Sequence, residues 1–144
     1  HCAYPMAAFA RVEDGAATAV FSGGELLAAQ RLLRRMPVGD SIVEMILDLV
    51  RAARPDDDSA PSYVRESVSW GPGPRAAQAL MLAVRAEALI GGRLAPSPED
   101  VRRLAAPVLT HRMALSFAAR ARGESLPALI DRLADQATAA RAAA

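Results

Sequence analysis

Apolar residues recur along most of the chain at the three- and four-residue intervals of helices packed on one side. Leu26, Leu27, Ala29, Leu32 and Leu33 mark a first helix over about 24–36. Ser22 with Glu25 three residues on reads as its capping box, and Pro37 ends it, because the residue before a proline avoids the helical region. A second helix spans about 40–54. Ile42, Val43, Met45, Ile46, Leu49 and Val50 form its stripe, Glu44, Asp48 and Arg51 face the other way, and Asp40 or Ser41 is expected to cap it. Residues 63–70 alternate only partly and predict a short strand or extended segment. A third helix over 74–90 is apolar nearly all round, which predicts a central, buried element. Gly91-Gly92 terminates it. Ser97-Pro98-Glu99-Asp100 is a helix start of cap, proline and two acids at the positive end. The fourth helix follows, with Val101, Leu104, Ala105, Val108 and Leu109 inward and a kink expected at Pro107. A last helix over about 125–139 carries Leu126, Leu129, Ile130 and Leu133, and an Ala-rich, frayed tail closes the chain.

This pattern predicts an all-α fold: a small bundle of about five helices with at most a trace of strand. The expected divisions are a lead-in over 1–23, a helical domain over 24–140 and a tail over 141–144. Composition agrees. The 144 residues are 52% hydrophobic but 4% aromatic, so alanine, leucine and valine must build the core, and that favours close-packed helices.

Charge excludes more than it suggests. Seventeen basic residues face sixteen acidic ones and are interleaved with them, unlike the one-signed patch of a strong nucleic-acid binder. Every basic residue is arginine. Without lysine there is no P-loop, no protein-kinase site and no Schiff-base chemistry in this chain. Cys2 is alone, which points to a reducing cytoplasm, and no apolar run approaches the roughly 18 residues of a membrane span. The opening His1 reads as the start of a cleaved piece. Asp56-Asp57-Asp58 lacks the glycine and terminal glutamate of a calcium loop. His111 reads as a structural hydrogen bonder. A regulator of helix-turn-helix type would need a basic recognition helix, and the third helix is too apolar for that.

Arg75 is the candidate for chemistry. It follows the stiff turn Trp70-Gly71-Pro72-Gly73-Pro74 and stands where the helix dipole is already positive. A cation there is misplaced unless an anion joins it, when guanidinium and free backbone N–H groups converge on the same ligand.

The run from Ser69 to Leu80, SWGPGPRAAQAL, resembles the "GASPRA / GAGPRASQAL" segment of the MoxR-family AAA+ ATPases. Further stretches are similar to that family in the same order: Gln30–Val38 to "QRLVRRVPV", Leu49–Pro55 to "LVRATRP", Ala86–Arg93 to "ARALLxGR", Ser97–Val101 to "SPEDV" and Ala106–Arg112 to "PPVLRHR". They cover about residues 20–135 and lie within the family's C-terminal lid. The resemblance implies a helical lid that closes over nucleotide held by an AAA+ core. It implies that Arg75 is the sensor-2 arginine reaching the ATP γ-phosphate, placed by Gly73 and Pro74, with Ala76 and Gln78 approaching the nucleotide. It also implies ATP with Mg2+, bound mainly by the core, in the whole protein. Walker A and B elements belong to that core, so the chain alone is expected to be inactive. Hexameric neighbours and von Willebrand A-domain proteins are the partners implied, with no nucleic acid and no membrane. The competing reading is a stand-alone helical interaction module without a nucleotide role.

Overall fold

The computed structural model describes residues 19–142. The lead-in read from the sequence therefore lies, through Thr18, outside the described residues. Among those described, seven α-helices and one two-stranded ladder follow in the order α1 (Gly23–Arg35), α2 (Asp40–Ala52), α3 (Ser62–Ser67), β1 (Val68–Trp70), α4 (Pro74–Ile90), α5 (Pro98–Leu109), β2 (Ala114–Leu115), α6 (Phe117–Ala121) and α7 (Leu126–Ala142). The all-α class holds. The count of helices exceeds the sequence reading by two, because α3 and α6 are single turns too short for a periodic signal.

Four helices make the body. α5 packs on α4 and α7, and α2 packs on the same two from the other side. Ile46, Leu80, Val84, Val101, Leu109 and Ile130 meet at the centre, fully withdrawn from solvent. The inward face of α4 repeats every four residues through Ala76, Leu80, Val84 and Ala88, and its small members let neighbouring helices approach closely. The buried stripe is narrower than the sequence predicts, however. Leu82 and Ile90 on other faces of α4 are exposed, so the helix is central on one side only.

Local chemistry sets the boundaries. Ser22 and Glu25 form the predicted capping box at α1. The α2 start differs from expectation: Gly39 is its N-cap and no side chain bonds there, so neither Asp40 nor Ser41 caps it. At α5, Ser97 accepts from the Asp100 N–H while the Asp100 carboxylate accepts from the Ser97 N–H. Gly92, with φ +69°, supplies the left-handed residue after α4, and the Arg93 N–H closes that end on the Ala88 carbonyl at 2.8 Å. Pro107 sits within α5, which runs on to Leu109 and tightens into a 3-10 turn over Thr110–Arg112. α7 extends past the predicted 139, with Arg141 bonded to Glu44 at 2.9 Å and to Asp48 at 3.3 Å.

Residues 63–70, read as extended, are helix first and strand after. Ser62–Ser67 wind one turn, and Val68–Trp70 then pair antiparallel with Ala114–Leu115, Val68 opposite Leu115 and Trp70 opposite Ala114. The mixed pattern is that junction: Val64 and Ser67 turn inward on a helix, and Val68 turns inward on a strand. The Ser116 N–H extends the ladder onto the Ser67 carbonyl at 2.7 Å.

Candidate functional site

The turn before α4 is built by the main chain. Gly71 lies against the end of α2 so closely that a Cβ there would stand 2.6 Å from the Ala53 carbonyl oxygen and 2.7 Å from Arg54 Cα. Only glycine permits that approach. Arg54 Nε donates to the Pro72 carbonyl at 2.8 Å, and Pro72 itself is buried. Gly73 is the N-cap in an extended conformation and Pro74 takes the first helical position, where its missing N–H is no loss. The start of α4 is thus fastened to the C-terminus of α2 from one side. From the other it is fastened by the β1–β2 ladder.

Arg75 is the second residue of α4 and is exposed. No side chain caps this helix start and no acid lies in its first turn. Among the described residues no carboxylate pairs with Arg75, whereas Arg93, Arg102, Arg103, Arg122 and Arg141 each hold one. The result is an unneutralised guanidinium beside the positive end of a 17-residue helix, which is the electrostatic arrangement of an anion site.

The other predicted site residues divide. Gly73 and Pro74 are exposed beside Arg75 at the start of α4. Gln78 is exposed one turn further on and borders a shallow apolar hollow of about 200 Å³ with Val43, Leu47, Ala77 and Met81. Ala76 points the opposite way, 1% exposed, into the core, and its backbone N–H donates to the Gly73 carbonyl at 2.9 Å. His111 is exposed and makes no side-chain hydrogen bond among the described residues, so the structural role read for it does not show. Arg54 escaped the sequence reading as a site residue, although it lies in one of the matched stretches. Its signal was a cation directly before Pro55, at the end of a helix, where a turn had to be held.

A hollow of about 410 Å³ opens beside the turn, lined by Arg54, Asp56, Ser69, Trp70 and Gly71 among others. Trp70, on its edge, is 53% exposed.

A second polar cluster holds the far end of α4. Arg93 grips Asp100 with two bonds, Nη1 at 2.6 Å and Nη2 at 2.7 Å, in a paired geometry suited to a carboxylate. The Arg93 guanidinium, with help from the Ser97 N–H and hydroxyl, holds the Asp100 carboxyl down to about 2 despite burial that opposes ionisation. All groups are satisfied within the chain, so the cluster joins the α4–α5 connection and offers nothing to a ligand. No group of three or more metal-binding side chains occurs among the described residues, and no described helix is long and apolar enough to cross a membrane.

Comparison with known proteins gives this arrangement a family. The profile of the AAA lid domain matches residues 61–133, from the start of α3 to α7. Chaperone MoxR1 of Mycobacterium tuberculosis is 31% identical over 114 residues, covering 79% of this chain and 30% of that protein. Protein MoxR of Paracoccus denitrificans is 52% identical over 65 residues, 44% of this chain and 19% of that protein. The crystal structure of a protein from Cytophaga hutchinsonii assigned as an ATPase superposes with a TM-score of 0.71 and 25% identity, over 76% of this chain and 33% of that one. The chain thus spans a third or less of the length of these relatives. Helical bundle, pinned turn and matched relatives agree, and the chain belongs to the AAA lid domain family as the lid of a MoxR-type AAA+ ATPase.

Proposed function

We propose that Arg75 is the sensor-2 arginine of this lid and that it grips the γ-phosphate of ATP bound on an AAA+ core. The observation that carries the reading is the unpaired guanidinium at the uncapped start of α4, behind a turn pinned by Gly71 and Arg54. A flat, forked cation can hold two phosphate oxygens at once and counter the charge that develops during phosphoryl transfer. Gly73 and Pro74 bring the backbone close, and Gln78 borders the nucleotide side. ATP with Mg2+ supplies the transferable phosphoryl group. The fit on this chain is limited to the phosphate: Arg75 and the helix end suit an anion, and the magnesium ligands and Walker elements belong to the core. The isolated lid hydrolyses nothing by itself.

In the whole protein, lid movement driven by ATP turnover would pass to hexameric neighbours and to client proteins, in the manner of a cytoplasmic remodelling ATPase. The name Chaperone MoxR1 borne by one relative supports the chaperone-like part of this reading, and von Willebrand A-domain proteins are the proposed partner class. A plain interaction module is the second reading, and the exposed leucines of α1, Leu26, Leu27 and Leu32, are what favours it.

The deciding experiment is steady-state ATP hydrolysis by the whole parent protein, wild type against Arg75→Ala and Arg75→Lys, with nucleotide affinity measured alongside. Turnover should fall about 100-fold for Arg75→Ala, the usual effect of removing one preorganised donor from a developing charge, and Arg75→Lys should recover little because the fork is lost. Unchanged turnover in a folded Arg75→Ala protein would leave the interaction module as the better reading.

A further inference from the structure

Three exposed residues, Gly73, Pro74 and Arg75, lie between two buried ones, Pro72 and Ala76. From Ala76 onward the place of α4 is set by packing in the core. The three residues before it are exposed, a Cβ at Gly73 would meet nothing within 4 Å, and no side chain caps the helix. The main chain leading into the helix is therefore what places Arg75.

That main chain has one soft joint. The rings of Pro72 and Pro74 fix φ at both positions. Gly73 precedes a proline, which favours extended backbone, and its ψ is 177°. What these restraints leave free is ψ of Pro72 and φ of Gly73, and glycine tolerates almost any φ. Turning one against the other rotates the peptide unit between them. The carbonyl of that unit is the one that Arg54 holds, with Nε donating to the Pro72 oxygen at 2.8 Å.

The anchor is itself fixed. The Arg54 N–H donates to the Arg51 carbonyl at 2.9 Å, and the Arg54 carbonyl accepts from the Asp57 N–H at 3.1 Å. Its side chain is half-buried and forms no ion pair among the described residues, so this guanidinium serves a main-chain oxygen. We propose that Arg54 is the positioning residue for Arg75: by holding the Pro72 carbonyl it locks the Pro72–Gly73 peptide and sets where the Arg75 guanidinium stands against the γ-phosphate. This rests on the sensor-2 reading of Arg75, and Arg54 acts through Arg75 alone.

Steady-state ATP hydrolysis by the whole parent protein tests this, with Arg54→Met, Arg75→Ala and the two combined. Arg54→Met keeps much of the apolar stem and removes the donor. Its kcat should fall at least about tenfold, the order expected when a contact to the reacting phosphate is displaced by a fraction of an ångström. KM for ATP should stay within about threefold, because the contact counts most in the transition state. Added to Arg75→Ala, the same substitution should cost no more than about twofold further, since nothing is left to position. Arg54→Lys keeps a donor for the carbonyl and should stay within about threefold of wild type. Unchanged turnover in Arg75→Ala alone overturns the sensor-2 reading and this proposal with it. If Arg75→Ala does lower turnover, the sensor-2 reading stands, and two results overturn the positioning role by itself: Arg54→Met without effect, or a loss just as large in the Arg75→Ala background. Unfolding of Arg54→Met, followed by circular dichroism, also overturns it, since Arg54 would then hold the whole lid and not one peptide.

Discussion

Asp100 has the most depressed carboxyl described in this chain, and its role is mechanical. Buried, it closes the α5 cap through Ser97 and receives both arms of Arg93. Its folded-state value of about 2 lies below its ordinary 3.8, so the unfolded chain takes up the proton first as pH falls. The stabilisation is therefore fully present above about pH 4 and is lost as pH drops through about 2. It amounts to about 1–2 kcal/mol after allowance for the partly exposed Arg93 side chain. Thermal melts between pH 6 and pH 2 should show an acid loss of stability in the wild type that is visibly smaller in Asp100→Asn, with the variant already weaker at neutral pH. Arg75 is the contrasting residue: it is exposed and forms no ion pair among the described residues.

Among the elements, the turn before α4 is the most constrained. Gly71→Ala would push a methyl group into the Ala53 carbonyl and Arg54 Cα, and both are main chain, so the turn itself must shift. The expected loss is about 1–3 kcal/mol in denaturant unfolding; on the sensor-2 role proposed for Arg75, ATP turnover of the whole protein falls as well. Several element boundaries were legible: Ser22, Pro37, Pro74, Gly92 and Ser97 act as the sequence suggests, whereas neither Asp40 nor Ser41 caps α2. They were illegible where tertiary contact decides. Ser62–Ser67 and Phe117–Ala121 each make one turn of helix, too brief for a period to emerge. The β1–β2 pairing joins segments 44 or more residues apart, and nothing local announces it. The same limit applies to the candidate site. Arg75 stood out by its place in a helix, but the inward turn of Ala76 and the grip of Arg54 on Pro72 depend on packing.

At the scale of the molecule, apolar periodicity predicts helices well and burial less well. α1 and α4 carry similar leucine-rich patterns, yet Leu80 is wholly buried and Leu27 is not. The pattern records which face is apolar and leaves open what covers it. Leu80→Ala should lower stability by about 2–5 kcal/mol in urea or thermal unfolding, the cost of lost burial plus a cavity. Leu27→Ala should change it by no more than about 0.5 kcal/mol, because that side chain already stands in water. Comparable losses at both positions would show that α1 is packed in solution.

Trp70 stands at the end of β1 immediately before the pinned glycine, with half its surface in solvent, and the chain has one tryptophan. The molecule thus carries its own optical label at the joint where α4 begins. Ultraviolet emission from this chain has a single indole origin, so its colour reports the polarity around that turn, and a surface closing over it would shift the light to the blue without any added dye.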